Sequence, residues 1–340
     1  MDIVLVGFGT VGQGVAEVLA RKGPVLQSTF KEKVRLVGVF DSKSYDTSAR
    51  GLDPRAILAR KEKLGKVGAK MEGQTVTGVL EKVHYDVMIE TTPTNIIDAE
   101  PGFSHMMAAL SSGRDVITAN KGPLALKFKQ LSQAGAKSGA RMRFEASVGG
   151  ATPVINLSRE LLMGEKILSI RGIVNGTCNF ILNRMKEEGL PFDQALREAQ
   201  EMGFAERDPS YDIDGIDSAA KAAILANAIF GRDVDFNDVR RTGIRGVSLE
   251  AVELAADERK VVRLVAEVSE TRLEVSPRLV PIGHPLAIGG TLNIFQIITE
   301  LAGDITVAGR GAGRLETASA ILSDLVALME ENSVAKKNSV

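Results

Sequence analysis

The period of the hydrophobic pattern changes along the chain, and the changes mark its elements. Residues 2–6, DIVLV, form a short apolar run that ends in glycine. Such a run reads as a strand buried on both faces of a parallel sheet. From Val11 to about Lys22 the spacing becomes helical, with Val15, Val18 and Leu19 on one face. Residues 34–40, VRLVGVF, and 85–90, YDVMIE, repeat the strand pattern, and Asp115–Thr118 predicts another short strand. Residues 46–72 are charged and predict helix with the character of an insertion, and Gly102–Ser112 predicts a further helix.

The second half reads differently. Ile167–Val174 predicts a strand, followed by helices over Asn179–Lys186 and Asp193–Met202. Ser218–Phe230 is Ala-rich and apolar nearly all round, so the helix it predicts should be largely buried. Further elements fall at 257–262, 273–281 and 289–294. A last helix over Leu315–Glu331 carries Ile321, Leu322, Leu325, Leu328 and Met329 in one stripe, which must dock on another element.

Strands alternating with helices predict an α/β fold with a doubly wound sheet, joined to an α+β region. A length of 340 residues suggests two domains. The first is expected over residues 1–147 with 311–332, the terminal helix returning to it, and the second over 148–310. Residues 333–340 are expected to be a disordered tail.

Candidate chemistry begins at once after the first strand. Gly7-Phe8-Gly9-Thr10-Val11-Gly12 is a G-x-G-x-x-G turn between strand and helix. The glycines permit a tight turn and close approach of a pyrophosphate to the helix N-terminus, so this context predicts a bound dinucleotide. Asp41 ends the second strand, where an acid usually bonds the adenosine ribose and favours NAD. Lys43 and Arg50 follow and suit a 2′-phosphate, which leaves NAD and NADP both open. Thr91 and Thr92 end another strand, on the edge of the crevice where such sheets bind ligands, or cap the next element. Lys121, in Ala119-Asn120-Lys121-Gly122-Pro123, faces the same crevice and suits a cofactor or a substrate carboxylate.

The densest chemistry lies at residues 203–221, GFAERDPSYDIDGIDSAAK. Glu206, Asp208, Asp212, Asp214 and Asp217 precede the apolar helix, and Lys221 is the one charge inside it. A buried ammonium is expensive unless paired, and Asp217 stands four residues earlier on the same face. A calcium loop is excluded, because lysine occupies the position of its closing glutamate. The arrangement predicts a pocket for a substrate ammonium with a lysine acid/base beside it. Glu145, before a glycine-rich turn, is a candidate oxygen ligand for a monovalent cation.

Composition narrows the classes. Net charge is −1 with no aromatic-basic interleaving, which argues against nucleic acid. No apolar run reaches membrane-spanning length and no signal peptide stands at the start, so a cytoplasmic, soluble protein is expected. The single cysteine, Cys178, excludes an intramolecular disulfide and reads as a buried inert thiol.

Together GFGTVG, TANKGP at 118–123, FEASVGGATP at 144–153, NGTCNFIL at 175–182, the acidic run ending at Lys221, and GRGAG at 309–313 resemble the homoserine dehydrogenase family, end to end and in its order. The resemblance implies a Rossmann domain plus a catalytic and dimerisation domain. It implies reversible NAD(P)-dependent interconversion of L-homoserine and L-aspartate 4-semialdehyde, in threonine and methionine biosynthesis. By the same resemblance Lys221 is the general acid/base, Glu206 and Asp217 bind substrate, Asp212 supports the site, and Lys121 sits between cofactor and substrate. Gly203 and Gly311 join the cofactor set. Glu145 with backbone oxygens of Val148, Gly150 and Thr152 matches the cation site. A homodimer through the second domain's sheet is expected, without the regulatory module that many relatives carry. The alternatives are a related amino-acid-pathway enzyme of the aspartate dehydrogenase type and a non-catalytic NAD(P) sensor. An aspartate-semialdehyde dehydrogenase is disfavoured, because Cys178 has no histidine partner in the sequence.

Overall fold

The computed structural model describes residues 1–338 and divides into two units. The first is Met1–Gly150 with the segment from Ala312 onward, and the second is Ala151–Gly311.

In the first unit β1 (Asp2–Val6) leads into α1 (Thr10–Phe30), and β2 (Arg35–Phe40) into β3 (Ser44–Leu52) and α2 (Pro54–Leu64). Then come β4 (Ala69–Lys70), α3 (Val76–Leu80), β5 (Val87–Glu90), α4 (Gly102–Ser111), β6 (Asp115–Thr118), α5 (Lys121–Ser138) and β7 (Met142–Arg143). The sheet order is β4-β3-β2-β1-β5-β6-β7, with the five strands from β2 to β7 parallel and β3 and β4 antiparallel. The strand order reverses at β1, so the crevice opens at the carboxyl ends of β1 and β5. β1, β5 and β6 read as apolar runs because successive residues, which point to opposite faces of the sheet, are buried alike.

Three expectations are corrected here. Residues 44–52 are a strand, not a helix: SYDTSARGL has polar residues on both faces, which suits a strand near the sheet's edge and erases the alternation that would have identified it. α2 starts only at Pro54, capped by Asp53, whose carboxylate accepts from Arg55 N at 3.0 Å. α1 runs past Lys22 and through Pro24 to Phe30, because buried Leu26 and half-buried Phe30 pack inward and offset the bond that proline removes. The terminal helix spans Arg314–Asn338, so residues 333–338 are helical rather than a disordered tail. No glycine or proline stops it after Glu331. Residues 339 and 340 lie outside the described residues.

The terminal helix docks within the first unit. Ile321, Leu325, Leu328 and Met329 share a core with Val15, Ala16 and Leu19 of α1. A Cβ at Gly14 would lie 2.3 Å from the Arg314 carbonyl oxygen, so glycine there lets the two helices approach.

The second unit contains β8 (Ile167–Ile173), α6 (Gly176–Glu188), α7 (Phe192–Glu201), α8 (Ser210–Ile213), α9 (Ile216–Phe230) and β9 (Arg240–Arg241). It continues with α10 (Leu249–Asp257), β10 (Lys260–Ser269), β11 (Leu273–Pro281), β12 (Leu292–Thr299) and β13 (Asp304–Arg310). The sheet order is β13-β12-β8-β10-β11-β9, antiparallel except for the β11–β9 pair. α9 rests on β10 and β11 and is buried from Asp217 to Asn227. Its alanines make it thin enough to serve as the core of this unit while carrying Lys221 inside.

Candidate active site

The first unit holds a cavity of about 740 Å³ at the switch point of its sheet. Gly7 turns with φ 92°, and a Cβ there would lie 2.6 Å from the main chain of Thr91 and Thr92. A Cβ at Gly12 would lie 2.1 Å from the Gly7 carbonyl oxygen. Nothing lies within 4 Å of the Cβ position of Gly9, the N-cap of α1, which has no side-chain cap. The first amides of α1 therefore stand uncapped beside a turn with room for a phosphate, as a pyrophosphate requires. Gly7, Phe8, Gly9, Thr10, Val11, Asp41, Thr91, Thr92 and Lys121 all line the cavity. Lys43 does not line it and is exposed, and Gly203 and Gly311 belong to the second unit.

The threonine hydroxyls bind protein. Thr91 Oγ1 donates to the Gly7 carbonyl at 2.7 Å and so fixes the glycine turn. Thr92 Oγ1 donates to Glu90 and accepts from Asn120 Nδ2 at 3.1 Å. Glu90 is fully buried, accepts from Thr92 N at 2.7 Å and meets His105 Nδ1 at 2.9 Å. Sequence reasoning missed Glu90 and His105. The signal was there: an acid at the end of a buried strand needs a partner.

Around Asp41 the structure adds a cation and removes one. Lys61 of α2 donates to the Asp41 carboxylate, and Ser42 N donates to it at 2.6 Å. Arg50, expected near a 2′-phosphate, lies at the far end of β3, whose Leu52 pairs with Leu36 while Tyr45 pairs with Phe40. That places it about 15–20 Å from Asp41 along the hairpin. It lines a different cavity, of about 410 Å³.

In the second unit Lys221 Nζ lies 2.7 Å from Asp217 Oδ2 and donates to the Val174 carbonyl at 2.6 Å. Both side chains are buried, 7% and 6% exposed, so the pair is part of the interior and not a surface ion pair. Asn175 ties the carboxylates together: its Nδ2 donates to Asp212 Oδ1 at 2.6 Å and to Asp217 Oδ2 at 3.1 Å. The same residue caps α6, accepting from Cys178 N at 2.9 Å. In sequence Asn175 stands out only as the first residue of the NGTCNFIL stretch. Its cap role is what aims its amide at the acids.

Burial raises the Asp212 carboxyl above its ordinary range; the Asn175 hydrogen bond opposes this and the facing Asp217 charge adds to it. Cys178 is fully buried, its thiol pushed well up by burial and then by Asp212, and it donates to the Asp212 carbonyl at 3.2 Å. It is the inert thiol expected.

The remaining acids divide. Asp214 turns outward to Arg245, at 2.9 and 3.1 Å. Asp208 accepts from Ser210 N at 3.1 Å and shapes the turn into α8. Glu206 is exposed on the loop before α8. Glu145 is 2% exposed and opens a 3₁₀ turn, its N–H held by Asp324 Oδ2 at 2.9 Å. Among the described residues no three His, Cys, Asp or Glu side chains gather as a metal centre. A cation near Glu145 would therefore take main-chain oxygens, a donor set that fits a hard ion.

Residues 7–145 match the family model described as the NAD binding domain of homoserine dehydrogenase, and residues 153–326 match the homoserine dehydrogenase model itself. The homoserine dehydrogenase of Methanocaldococcus jannaschii is 45% identical over 96% of this chain and 98% of its own length. The NAD(+)-dependent homoserine dehydrogenase of Pseudomonas canavaninivorans is 37% identical, covering 95% of each chain. A hyperthermophilic archaeal homoserine dehydrogenase solved in complex with NADPH superposes with a TM-score of 0.82 at 31% identity, covering 96% of each chain.

Proposed function

This chain belongs to the homoserine dehydrogenase family, and from that premise we propose how its residues divide the reversible, NAD(P)-dependent interconversion of L-homoserine and L-aspartate 4-semialdehyde. The observation that carries the proposal is Lys221, buried and bracketed by Asp217 and the Val174 carbonyl.

The coenzyme, when bound, supplies or accepts the hydride. The turn from Gly7 to Gly12 with the α1 N-terminus receives its pyrophosphate, and Asp41 with Lys61 faces its adenosine ribose. In the reducing direction Lys221 gives a proton from Nζ to the nascent alkoxide oxygen; in the oxidising direction its amine takes the proton of the hydroxyl. Asp217 holds Nζ in one position through both states. Asp212 and Glu206 supply negative charge for the substrate ammonium. Lys121, at the first position of α5 on the cavity wall, meets the nicotinamide end of the coenzyme or the substrate carboxylate.

A monovalent cation is proposed on Glu145 and the main-chain oxygens of Val148 and Gly150, with Thr152 as the remaining donor expected from the sequence. A homodimer through the second unit's sheet is proposed too, supported by the exposed apolar side chains of Leu168 and Leu279 on β8 and β11. The cytoplasm is the proposed compartment; among the described residues no helix is long and apolar enough to cross a membrane.

The test is homoserine-dependent reduction of NAD⁺ and NADP⁺ by the purified chain, with and without K⁺ or Na⁺. Turnover with either coenzyme supports the reading. Coenzyme binding without turnover would leave a sensor or another substrate. Activity indifferent to both cations would remove the cation site.

A further inference from the structure

His105 stands in the first turn of α4 and lines the cavity of about 740 Å³ in the first unit. Its ring is held from one side only. Nδ1 lies 2.9 Å from Glu90 Oε2, while the other oxygen of Glu90 accepts from Thr92 N at 2.7 Å and from the Thr92 hydroxyl. A carboxylate accepts and does not donate, so the proton of Nδ1 points at Glu90. Among the described residues Nε2 bonds to no group of the chain, yet it keeps accessible surface, on a ring that faces the cavity. In the neutral ring with its one proton on Nδ1, Nε2 is an acceptor. A bare acceptor on the wall of a binding cavity calls for a donor from what fills it. The wall around it says which donor. Met71 and Val76 line the same cavity. Met71 belongs to the end where β2 stops: its N–H donates to the Lys43 carbonyl at 3.0 Å, just as Asp41 N–H donates to the Ser44 carbonyl at 2.8 Å. Val76 opens α3, which packs on α4 and so joins His105 to that end. Phe40 and Pro101 add to the apolar lining. A flat ring with apolar faces and a donor on its edge suits this slot, and adenine with its 6-amino group is such a ring.

The geometry points to His105 as a coenzyme-binding residue whose Nε2 accepts a hydrogen bond from the adenine 6-amino group, with Glu90 as the positioning residue that fixes its tautomer. This rests on the dinucleotide reading of the cavity and deepens it. The apolar walls would hold any purine. The acceptor discriminates: a purine with a carbonyl at the same carbon would meet Nε2 lone pair to lone pair. His105 thus contributes to the choice of an adenine dinucleotide over its hypoxanthine counterpart.

The test is calorimetric binding, which needs no turnover, of three dinucleotides to wild type and to His105→Asn. They are NAD⁺, nicotinamide hypoxanthine dinucleotide, which replaces the adenine amine by a carbonyl, and 3-acetylpyridine adenine dinucleotide, which replaces the carboxamide NH₂ by a methyl group. Wild type is expected to bind the hypoxanthine analogue about 5–10-fold more weakly than NAD⁺, the worth of one hydrogen bond. Equal or tighter binding of that analogue overturns the proposal without any variant. His105→Asn keeps an amide N–H for Glu90 and loses the reach of Nε2, so its Tm should stay near that of wild type. Its Kd for NAD⁺ and for the 3-acetylpyridine analogue should rise by the same 5–10-fold, about the loss of that bond, while its Kd for the hypoxanthine analogue moves less than about twofold. An NAD⁺ Kd within about twofold of wild type overturns the proposal. So does equal weakening of NAD⁺ and the hypoxanthine analogue, which would make His105 a shaping residue only. An unchanged Kd for the 3-acetylpyridine analogue alone would move the contact to the carboxamide and overturn the adenine assignment. If the variant does not fold, the wild-type comparison decides. Wild type that binds the dinucleotides but leaves homoserine untouched sinks the homoserine reading and leaves this one standing.

Discussion

Lys221 and Asp217 stand one helical turn apart inside α9, 2.7 Å from Nζ to Oδ2, with neither side chain appreciably open to solvent. Removing either partner strands the other charge inside the fold, the ammonium keeping only the Val174 carbonyl and the carboxylate keeping the Asn175 amide. Asp217→Ala is expected to destabilise the chain by about 3–5 kcal/mol in denaturant unfolding. Lys221→Ala, which leaves the buried Asp217 carboxylate without its cation, is expected to be destabilised as well and to lose about 10²–10⁴-fold in kcat, with coenzyme Kd unchanged. A parallel loss of coenzyme binding in Lys221→Ala would refute its assigned role.

Asp212 offers a separation of stability from activity. Its folded-state pKa is raised, so its contribution to stability is fully present below the ordinary carboxylate range and lost as pH rises through the raised value. At pH 7 the ionised form is therefore a net cost to the fold. Asp212→Asn keeps an oxygen for Asn175 and removes that cost. Its Tm should equal or exceed that of wild type at pH 7, and the gain should shrink as pH is lowered toward 4. Its kcat/KM for homoserine should nevertheless fall by about tenfold or more, because a charge facing the substrate ammonium is gone. A Tm deficit at pH 7 would contradict the sign worked out here.

Coenzyme choice turns on the pair at the end of β2. A ribose hydroxyl needs the Asp41 carboxylate as acceptor, and a 2′-phosphate needs a cation. Lys61 supplies that cation from α2 while neutralising Asp41. Asp41→Ala should raise the KM for NAD⁺ and lower that for NADP⁺, and Lys61→Ala should do the reverse, each by about 5–10-fold on the scale of one charge-assisted hydrogen bond. Arg50→Ala, at the other end of the hairpin, should change neither. Parallel effects of the first two substitutions on both coenzymes would show that the pair does not discriminate.

The parts of this molecule legible in its sequence are those where one residue type answers one physical demand. Gly7 and Gly12 announce a turn that no side chain fits, and the lysine at 221 in an alanine-rich helix announces a buried ion pair. What stayed hidden needed tertiary pairing. β3 carries no alternation because it lies near the edge of the sheet, so its strand state comes from pairing with β2 and not from its own pattern. Lys61 reads as one of many charges on a surface helix until the hairpin brings Asp41 to it. Asn175 stands in sequence only before a helix, and its hold on the acids appears only when α8 and α9 place Asp212 and Asp217 against its amide.

The terminal helix is held by charge as well as by its apolar stripe, and the charge can be titrated. Arg141 Nη1 lies 2.8 Å from Glu331 Oε2, and Arg143 also pairs with Glu331. Burial pushes the Glu331 carboxyl up, but the hydrogen bonds and charges of Arg143 and Arg141 outweigh it and hold the group below its ordinary range. A depressed acid adds stability that is present above the unfolded-state value and lost as pH falls through the folded one. Glu331→Gln should therefore be less stable than wild type at pH 7, by no more than about 1 kcal/mol, since the pair is partly exposed and screened. The deficit should fade as pH drops below the ordinary carboxylate range and vanish once Glu331 is protonated in the folded chain. The apolar contacts of Ile321, Leu325 and Leu328 do not titrate, so the helix itself should persist in acid. Hydrogen exchange separates the two contributions: Glu331→Gln should speed exchange near residue 331 at pH 7 and leave the amides around Leu325 protected. Loss of protection along the whole helix would mean that the arginine clamp, and not the stripe, holds it in place.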